Sequence, residues 1–320
     1  MGIEWKDEYI ELMYPSNMNN RREKKARKLK CENIPNSLYK YRTVNLNSIR
    51  SLRRNEVWCN SASNFNDPYE CALLIGDYAE ESLKALMIEK VIELGTGKLK
   101  KNLVENLGNM DLKKICTVFI KLKVGDVQIY QCDVDQIYDI TKKEYDDKIK
   151  ADLERDIMQI REKMKISCFS EVHNSILMWS HYADNHKGFC IEYNFNEIDI
   201  NSNLISALQP TIYSDEIINI GEHLKRTPKK VEKFKGVLEE YAAIIKSNEW
   251  IYEQEWRIVF RENKSGGFNC KGLYPKAIYL GSRISEDDKI ELLEIAREKK
   301  IPVYQMKTDN NKFELFAEKL

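Results

Sequence analysis

In the segment Glu249-Trp250-Ile251-Tyr252-Glu253-Gln254-Glu255-Trp256-Arg257-Ile258-Val259-Phe260, side-chain character changes with a period of two. Read as a β-strand, it sets Tyr252, Gln254, Trp256, Ile258 and Phe260 on one mostly apolar face and Glu253, Glu255 and Arg257 on the other. A strand with one apolar face needs a sheet beside it and a core beneath it. The sequence supplies further strand candidates at Leu38-Tyr39-Lys40-Tyr41-Arg42, Val57-Trp58-Cys59 and Ile166-Ser167-Cys168-Phe169. In the next, Phe189, Ile191, Tyr193 and Phe195 alternate with Cys190, Glu192 and Asn194 in a half-buried pattern; others follow at Ala277–Leu280, Val303–Met306 and Phe313–Phe316.

Between these runs the pattern turns helical. Ser175 to Asp184 and Glu286 to Lys299 are expected to be helices, and charged stretches predict two helical insertions, at about 78–164 (with breaks near Gly95-Thr96-Gly97 and Gly108) and 216–247. Residues 1–36 form a basic N-terminal arm whose run Arg21 to Lys30 is read as a solvated helix or as a contact for an anionic surface. Residues 37–320 are then a single α+β domain around a mixed or antiparallel sheet.

Composition narrows the function classes. The 320 residues carry 51 basic and 51 acidic side chains, so no general field draws the chain to nucleic acid, and any basic contact is local. No stretch approaches the roughly twenty apolar residues that span a bilayer, and the N-terminus lacks the order of a secretory signal, so a cytoplasmic location with no membrane partner is expected. Lys6 stands where a myristoylation motif wants Ser or Thr. The eight cysteines never fall as Cys-x-x-Cys, and His181 and His186 are five apart, a poor spacing for joint ligation; no metal site is expected. Cys168 and Cys190 are read as core thiols.

Two carboxylates side by side raise one another's pKa unless they are solvated, paired, or used as a base or to stabilise a cation. Glu253 and Glu255 are therefore candidate catalytic groups, or else a wet sheet face with Arg257 neutralising one of them. Arg42, ending its strand, can make the bidentate phosphate contact that Lys40 cannot. Asn66 and Asp67 before Pro68 form a turn that is able to close on its own backbone, and Asp67 or Glu70 could brace Arg42. Trp179 and Tyr182 share a helix face, with His181 beside them.

The stretches Leu38–Arg42, Asn64–Glu70, Ser167–Ser170, Met178–Asp184, His186–Cys190 and Tyr252–Arg257 together resemble a bacterial family known only as domain of unknown function 2971. A second resemblance is to the split-sheet ADP-ribosyltransferase-like fold. In one of its classes an Arg ends the first strand, a Ser follows a central strand, and Glu-x-Glu precedes a late strand. Arg42, Ser170 and Glu253-x-Glu255 occur in that order, although the usual Ser-Thr-Ser reads Cys168-Phe169-Ser170 here.

This second resemblance implies a split-sheet fold of that type and an enzyme that cleaves NAD at the nicotinamide–ribose bond. It would pass ADP-ribose to an acceptor, protein or nucleic acid, as a toxin or phage-defence effector answering to a regulatory partner. On that view Arg42 grips the diphosphate or ribose of NAD and Ser170 supports the nicotinamide-ribose pocket. Glu255 binds that ribose and Glu253 positions the acceptor. Tyr182 or Trp179 stacks on nicotinamide, with Asn66, Asp67 and His181 completing the binding set. Two other classes remain: a nucleic-acid-processing enzyme, with Asp67, Glu70, Glu192, Glu253 and Glu255 on a divalent ion and basic segments near Arg21 and Lys229 on phosphate, and a non-catalytic sensor or partner-binding module.

Overall fold

A computed structural model of the chain describes residues 4–95, 106–125, 130–221, 223 and 231–320, with the backbone alone for 231–235. The expected break at Thr96-Gly97 and the basic position Lys229 lie outside the described residues. The chain gathers into two compact units: a larger one from 1–72, 159–218 and 230–320, and a smaller one from 73–158 and 219–229.

The strands, in chain order, are β1 (Leu38–Arg42), β2 (Glu56–Ser61), β3 (Leu73–Leu74), β4 (Met164–Ser170), β5 (Phe189–Tyr193), β6 (Leu208–Pro210), β7 (Ile212–Ser214), β8 (Ile218–Asn219), β9 (Ile245–Ser247), β10 (Glu255–Arg261), β11 (Phe268–Lys271), β12 (Pro275–Leu280), β13 (Val303–Thr308) and β14 (Leu315–Lys319). The main sheet runs β11-β2-β4-β1-β5-β12-β13-β14, with β10 against β4 and β6 against β10. Its one parallel pair is β12 with β13, which the helix Glu286–Lys299 connects. The fold is thus α+β with a mixed, mostly antiparallel sheet.

Strand β4 is the pivot. Along one edge it pairs with β10 from Glu255↔Ser170 to Arg261↔Met164. Its other edge is divided: β1 meets it only at Tyr39↔Ser170, and β2 only at Asn60↔Ile166 and Ser61↔Lys165. Between those two joints, residues 167–169 have no strand partner on that side, and the sheet opens there.

Apolar residues cover both faces near the opening. Leu38, Phe169, Phe189, Ile191, Trp256, Ile258 and Ile278 belong to one buried cluster, and Tyr41, Trp179, Cys190, Tyr279 and Met306 to another. All five residues of β5 are consequently buried, where the alternation of apolar and polar positions had suggested a half-wet strand. Helix Ile176–Tyr182 starts on the Ser175 side chain, which accepts from the Met178 N–H, and lays Trp179 against Tyr41. The chain then turns through left-handed Asp184, Asn185 and His186 to Gly188. A Cβ on Gly188 would stand 2.2 Å from the Arg42 carbonyl oxygen, so only glycine allows β5 to enter the sheet beside the end of β1.

Other expectations need correction. The basic arm is not peripheral: Tyr9, Met13, Met18 and Ala26 are buried, Trp5 stacks on Trp256, and buried Lys30 donates to the carbonyls of Ile205 and Leu208. Among its described residues the stretch 216–247 is helical at 221, 223 and Val231–Ala242, with β8 and β9 at its ends. Strands β6, β7 and β11 gave too short a signal to be read.

The smaller unit is mostly helical, as expected, over its described residues from Tyr78 onward, with β3 before them. Helices Tyr78–Leu94 and Leu112–Val124 close on each other through Leu83, Met87, Val91, Ile115 and Cys116. Helix Gln131–Lys163 follows and leads into β4. No helix among the described residues is long and apolar enough to cross a membrane.

Candidate functional site

The opening in the sheet is a cleft of about 370 Å³. Its floor is Ile166–Ser170, one wall is Tyr39–Arg42, and the rest is closed by Trp58, the 64–67 turn, Tyr182, Lys246, Glu253 and Glu255. Arg42, Ser170 and the two acids, far apart in sequence, therefore face one space.

The segment around the acids departs from a plain strand. Asn248–Glu253 is a 3-10 helix, Gln254 is left-handed at φ 44°, and the ladder begins only at Glu255. Glu253 and Glu255 thus converge through a kink rather than through strand alternation. Nor are they wet: their side chains are 3% exposed. The Lys246 ammonium contacts Glu253 Oε2 and lies 3.2 Å from Glu255 Oε2. Arg257 Nη2 donates to the same Glu255 oxygen at 3.1 Å, and the Arg257 guanidinium grips Glu70 through both terminal nitrogens at 2.5 and 3.1 Å. The reading in which Arg257 neutralises one acid holds, but in a buried network. Glu70 braces Arg257, not Arg42.

This network drives the two carboxyls apart. Burial would raise Glu255, but Arg257 and Lys246 overcome it and hold its pKa down at about 2. Burial and the charge of Glu255 push Glu253 up, against the opposing pull of Lys246. Paired carboxyls with opposite shifts are the usual pattern of a fixed anion beside a proton-exchanging group. Tyr182 donates to Glu253 Oε1 at 2.6 Å, and the Ser170 hydroxyl donates to the Glu253 carbonyl at 2.6 Å. Ser170 is fully buried, so it fixes the backbone of the acid turn instead of reaching out to a ligand.

The opposite wall is cationic and open. Among the described residues the Arg42 guanidinium has no hydrogen bond or ion pair, and burial lowers its pKa. Two residues earlier on the same strand, Lys40 donates to Ser167 Oγ at 2.8 Å and to the Cys168 carbonyl at 2.9 Å, and burial, then the charge of Arg42, bring it down to about 8.

Asn66 lines the cleft and is exposed; Asp67 is buried, accepts from the Tyr69 N–H at 2.8 Å, and so mainly closes its own turn. Trp179 is fully buried, with its Nε1–H on the His173 carbonyl, and His181 points to solvent away from the cleft. Neither can stack on a ligand there. Cys168 lines the cleft instead of the core, and burial raises its thiol well above the ordinary value. Glu192 is engaged elsewhere by Ser37, Tyr279 and Lys276, so the five carboxylates proposed for a divalent ion do not assemble. Among the described residues no His, Cys, Asp and Glu cluster is placed to hold a metal.

Lys246 escaped the sequence reading because it follows the apolar run Ala242-Ala243-Ile244-Ile245 inside what looked like a helix. A lone cation there, seven residues before paired acids, was the available signal.

The segment from helix Ile176–Tyr182 through β10 thus carries Tyr182, Lys246, both acids and Arg257. Residues 178–258 match the family described as protein of unknown function, DUF2971. The first resemblance read from the sequence is borne out over those residues. No curated protein and no solved structure matches the chain. The DUF2971 segment supplies the acidic wall of the cleft, whereas Lys40, Arg42 and the 64–67 turn lie before it.

Proposed function

We propose that the cleft binds NAD and cleaves its nicotinamide–ribose bond, passing ADP-ribose to an acceptor. The observation that carries this reading is a juxtaposition: Ser170 is paired in the sheet with Tyr39 of β1 on one side and with Glu255 of β10 on the other, while Arg42 turns an unpaired guanidinium to the same cleft. The Ser and Glu of the resembling class are thereby cross-strand neighbours, and the Arg lines the same cleft.

A dinucleotide suits the space available. A cavity of about 450 Å³ adjoins the cleft, sharing Tyr41, Arg42, Trp58 and Tyr182 with it and adding Asn45, Asn47 and Arg50. With the diphosphate on Arg42, the nicotinamide riboside half would lie against the acids and the adenylate half in the adjoining cavity. Lys40 adds a second cation toward the diphosphate. As the bond from ribose C1′ to the nicotinamide nitrogen breaks, its electron pair leaves with neutral nicotinamide. The positive charge left on the ribose is stabilised by the anionic Glu255. The acceptor's lone pair then closes on C1′, and its proton passes to Glu253.

A second reading, binding without turnover, is favoured by the ion pairs that already occupy both acids. Incubation with NAD separates the two. Nicotinamide release that disappears in Glu255→Gln supports cleavage; calorimetric NAD binding with no release, in wild type and variant alike, supports the second reading. Absence of NAD binding removes both.

A further inference from the structure

Lys246 is the residue that both acids share. It stands on β9, which runs parallel to β7 with Lys246 opposite Tyr213, in a two-stranded sheet separate from the main one. Tyr213 in turn uses its hydroxyl oxygen to accept the Glu255 backbone N–H at 2.8 Å. The Lys246 ammonium sits 4.8 Å from the centre of the Trp250 ring, on the 3-10 helix that carries Glu253. One short accessory sheet therefore holds both the side chains and the backbone of the acid pair.

We propose that Lys246 is a positioning residue of the Glu253-x-Glu255 site, orienting both carboxyls from outside the main sheet and keeping Glu253 available as the proton acceptor, an inference that rests on the NAD reading above. The groups facing Glu253 come from every side. Tyr182 approaches from the helix before β5, Glu255 from β10, Lys246 from β9, Tyr213 from β7, and Tyr252 is its neighbour in the chain. Two cations, Lys246 and Arg257, pair with the acids among the described residues. Arg257 is committed to Glu70, Glu255 and the Ala243 carbonyl, which leaves Lys246 as the cation in contact with Glu253 among the described residues.

Without that ammonium, burial and the charge of Glu255 act on Glu253 against the Tyr182 hydrogen bond alone, and its carboxyl holds a proton to higher pH. Loss of packing alone would instead depress turnover evenly at every pH. Lys246 also lines a further cavity, together with Ser214, Asp215, Glu216 and Ser247.

The test compares wild type, Lys246→Met and Lys246→Arg in two measurements: the pH profile of nicotinamide release, and an infrared titration of the buried carboxyls with Glu253→Gln identifying the Glu253 band. In Lys246→Met the acid limb and the Glu253 band are expected to move up by about one pH unit or more, and Lys246→Arg to bring both back toward wild type. A limb and band that stay in place in a folded Lys246→Met protein overturn the proposal. Should circular dichroism show Lys246→Met unfolded, Lys246→Gln carries the same comparison. If wild type releases no nicotinamide, the NAD reading fails on its own account. The infrared titration still decides the role of Lys246, because an unmoved Glu253 band refutes it.

Discussion

The two walls of the cleft are built on opposite principles. On β1, Arg42 keeps an unpaired guanidinium at the surface of the cleft, with Lys40 behind it on backbone and hydroxyl oxygens. On the β10 side every charge is buried and matched: Glu70 to Arg257, Glu255 to Arg257 and Lys246, Glu253 to Lys246 and Tyr182. One wall waits for a ligand and the other is complete without one. A half-buried guanidinium without a counter-ion is costly to keep but free to take up an anion, whereas breaking a matched buried pair strands a charge, so on the proposed reading the acid wall guards stability and the β1 wall supplies affinity.

That contrast breaks first at Arg257. Arg257→Leu leaves Glu70 and Glu255 buried without their guanidinium and is expected to cost about 3–5 kcal/mol, seen as a lowered midpoint in urea unfolding. An unchanged midpoint would show that the acid wall is not the stabilising one.

Next comes acid. Glu255 titrates below the ordinary glutamate value, so its share of stability is in place above that value and drains away as pH falls toward about 2. Glu253 is shifted up, so its carboxylate works against folding at neutral pH and that penalty fades as pH falls. Thermal unfolding followed from neutral pH into acid should lose the Glu255 component in Glu255→Gln, while Glu253→Gln costs less at pH 7. Equal costs at pH 7 would mean that the two carboxyls are not differentiated.

The smallest effect on stability belongs to Arg42. Arg42→Ala should leave the unfolding midpoint within about 0.5 kcal/mol of wild type. The same variant should weaken NAD or ADP-ribose binding roughly 10–100-fold by calorimetry, the loss of a charge-assisted contact. In wild type, affinity for the same anions should decline as pH rises through about 8 and Lys40 sheds its proton. Arg42→Ala that binds as tightly as wild type would remove the β1 wall from the site.

Much of the architecture was legible because period-two patterns are local. Strands Leu38–Arg42 and Met164–Ser170 and helices Ile176–Tyr182 and Glu286–Lys299 fall close to where alternation and capping residues put them. What escaped was set by long-range pairing. Three-residue strands such as β6, β7 and β9 exist because a neighbour offers a ladder, and nothing in three residues announces that. The site divided in the same way. Arg42 was visible as a strand-end guanidinium and the acids as a closely spaced pair. Lys246, and the commitment of Glu70 to Arg257 across 187 positions of chain, depend on tertiary placement. Trp179 and His181 misled for a related reason: a helix that faces a core with one side offers its aromatic to the interior and its imidazole to water, and sequence spacing alone does not say which side is which.

Gln254, left-handed between the two glutamates, means that they sit on different kinds of backbone: Glu253 ends a 3-10 turn whose carbonyl accepts from Ser170, and Glu255 is anchored in the ladder against the same serine. A change in that turn can therefore re-aim the first carboxyl without disturbing the register of β10. On the NAD reading proposed above, such a hinge would let acceptor preference change while Glu255 keeps its place.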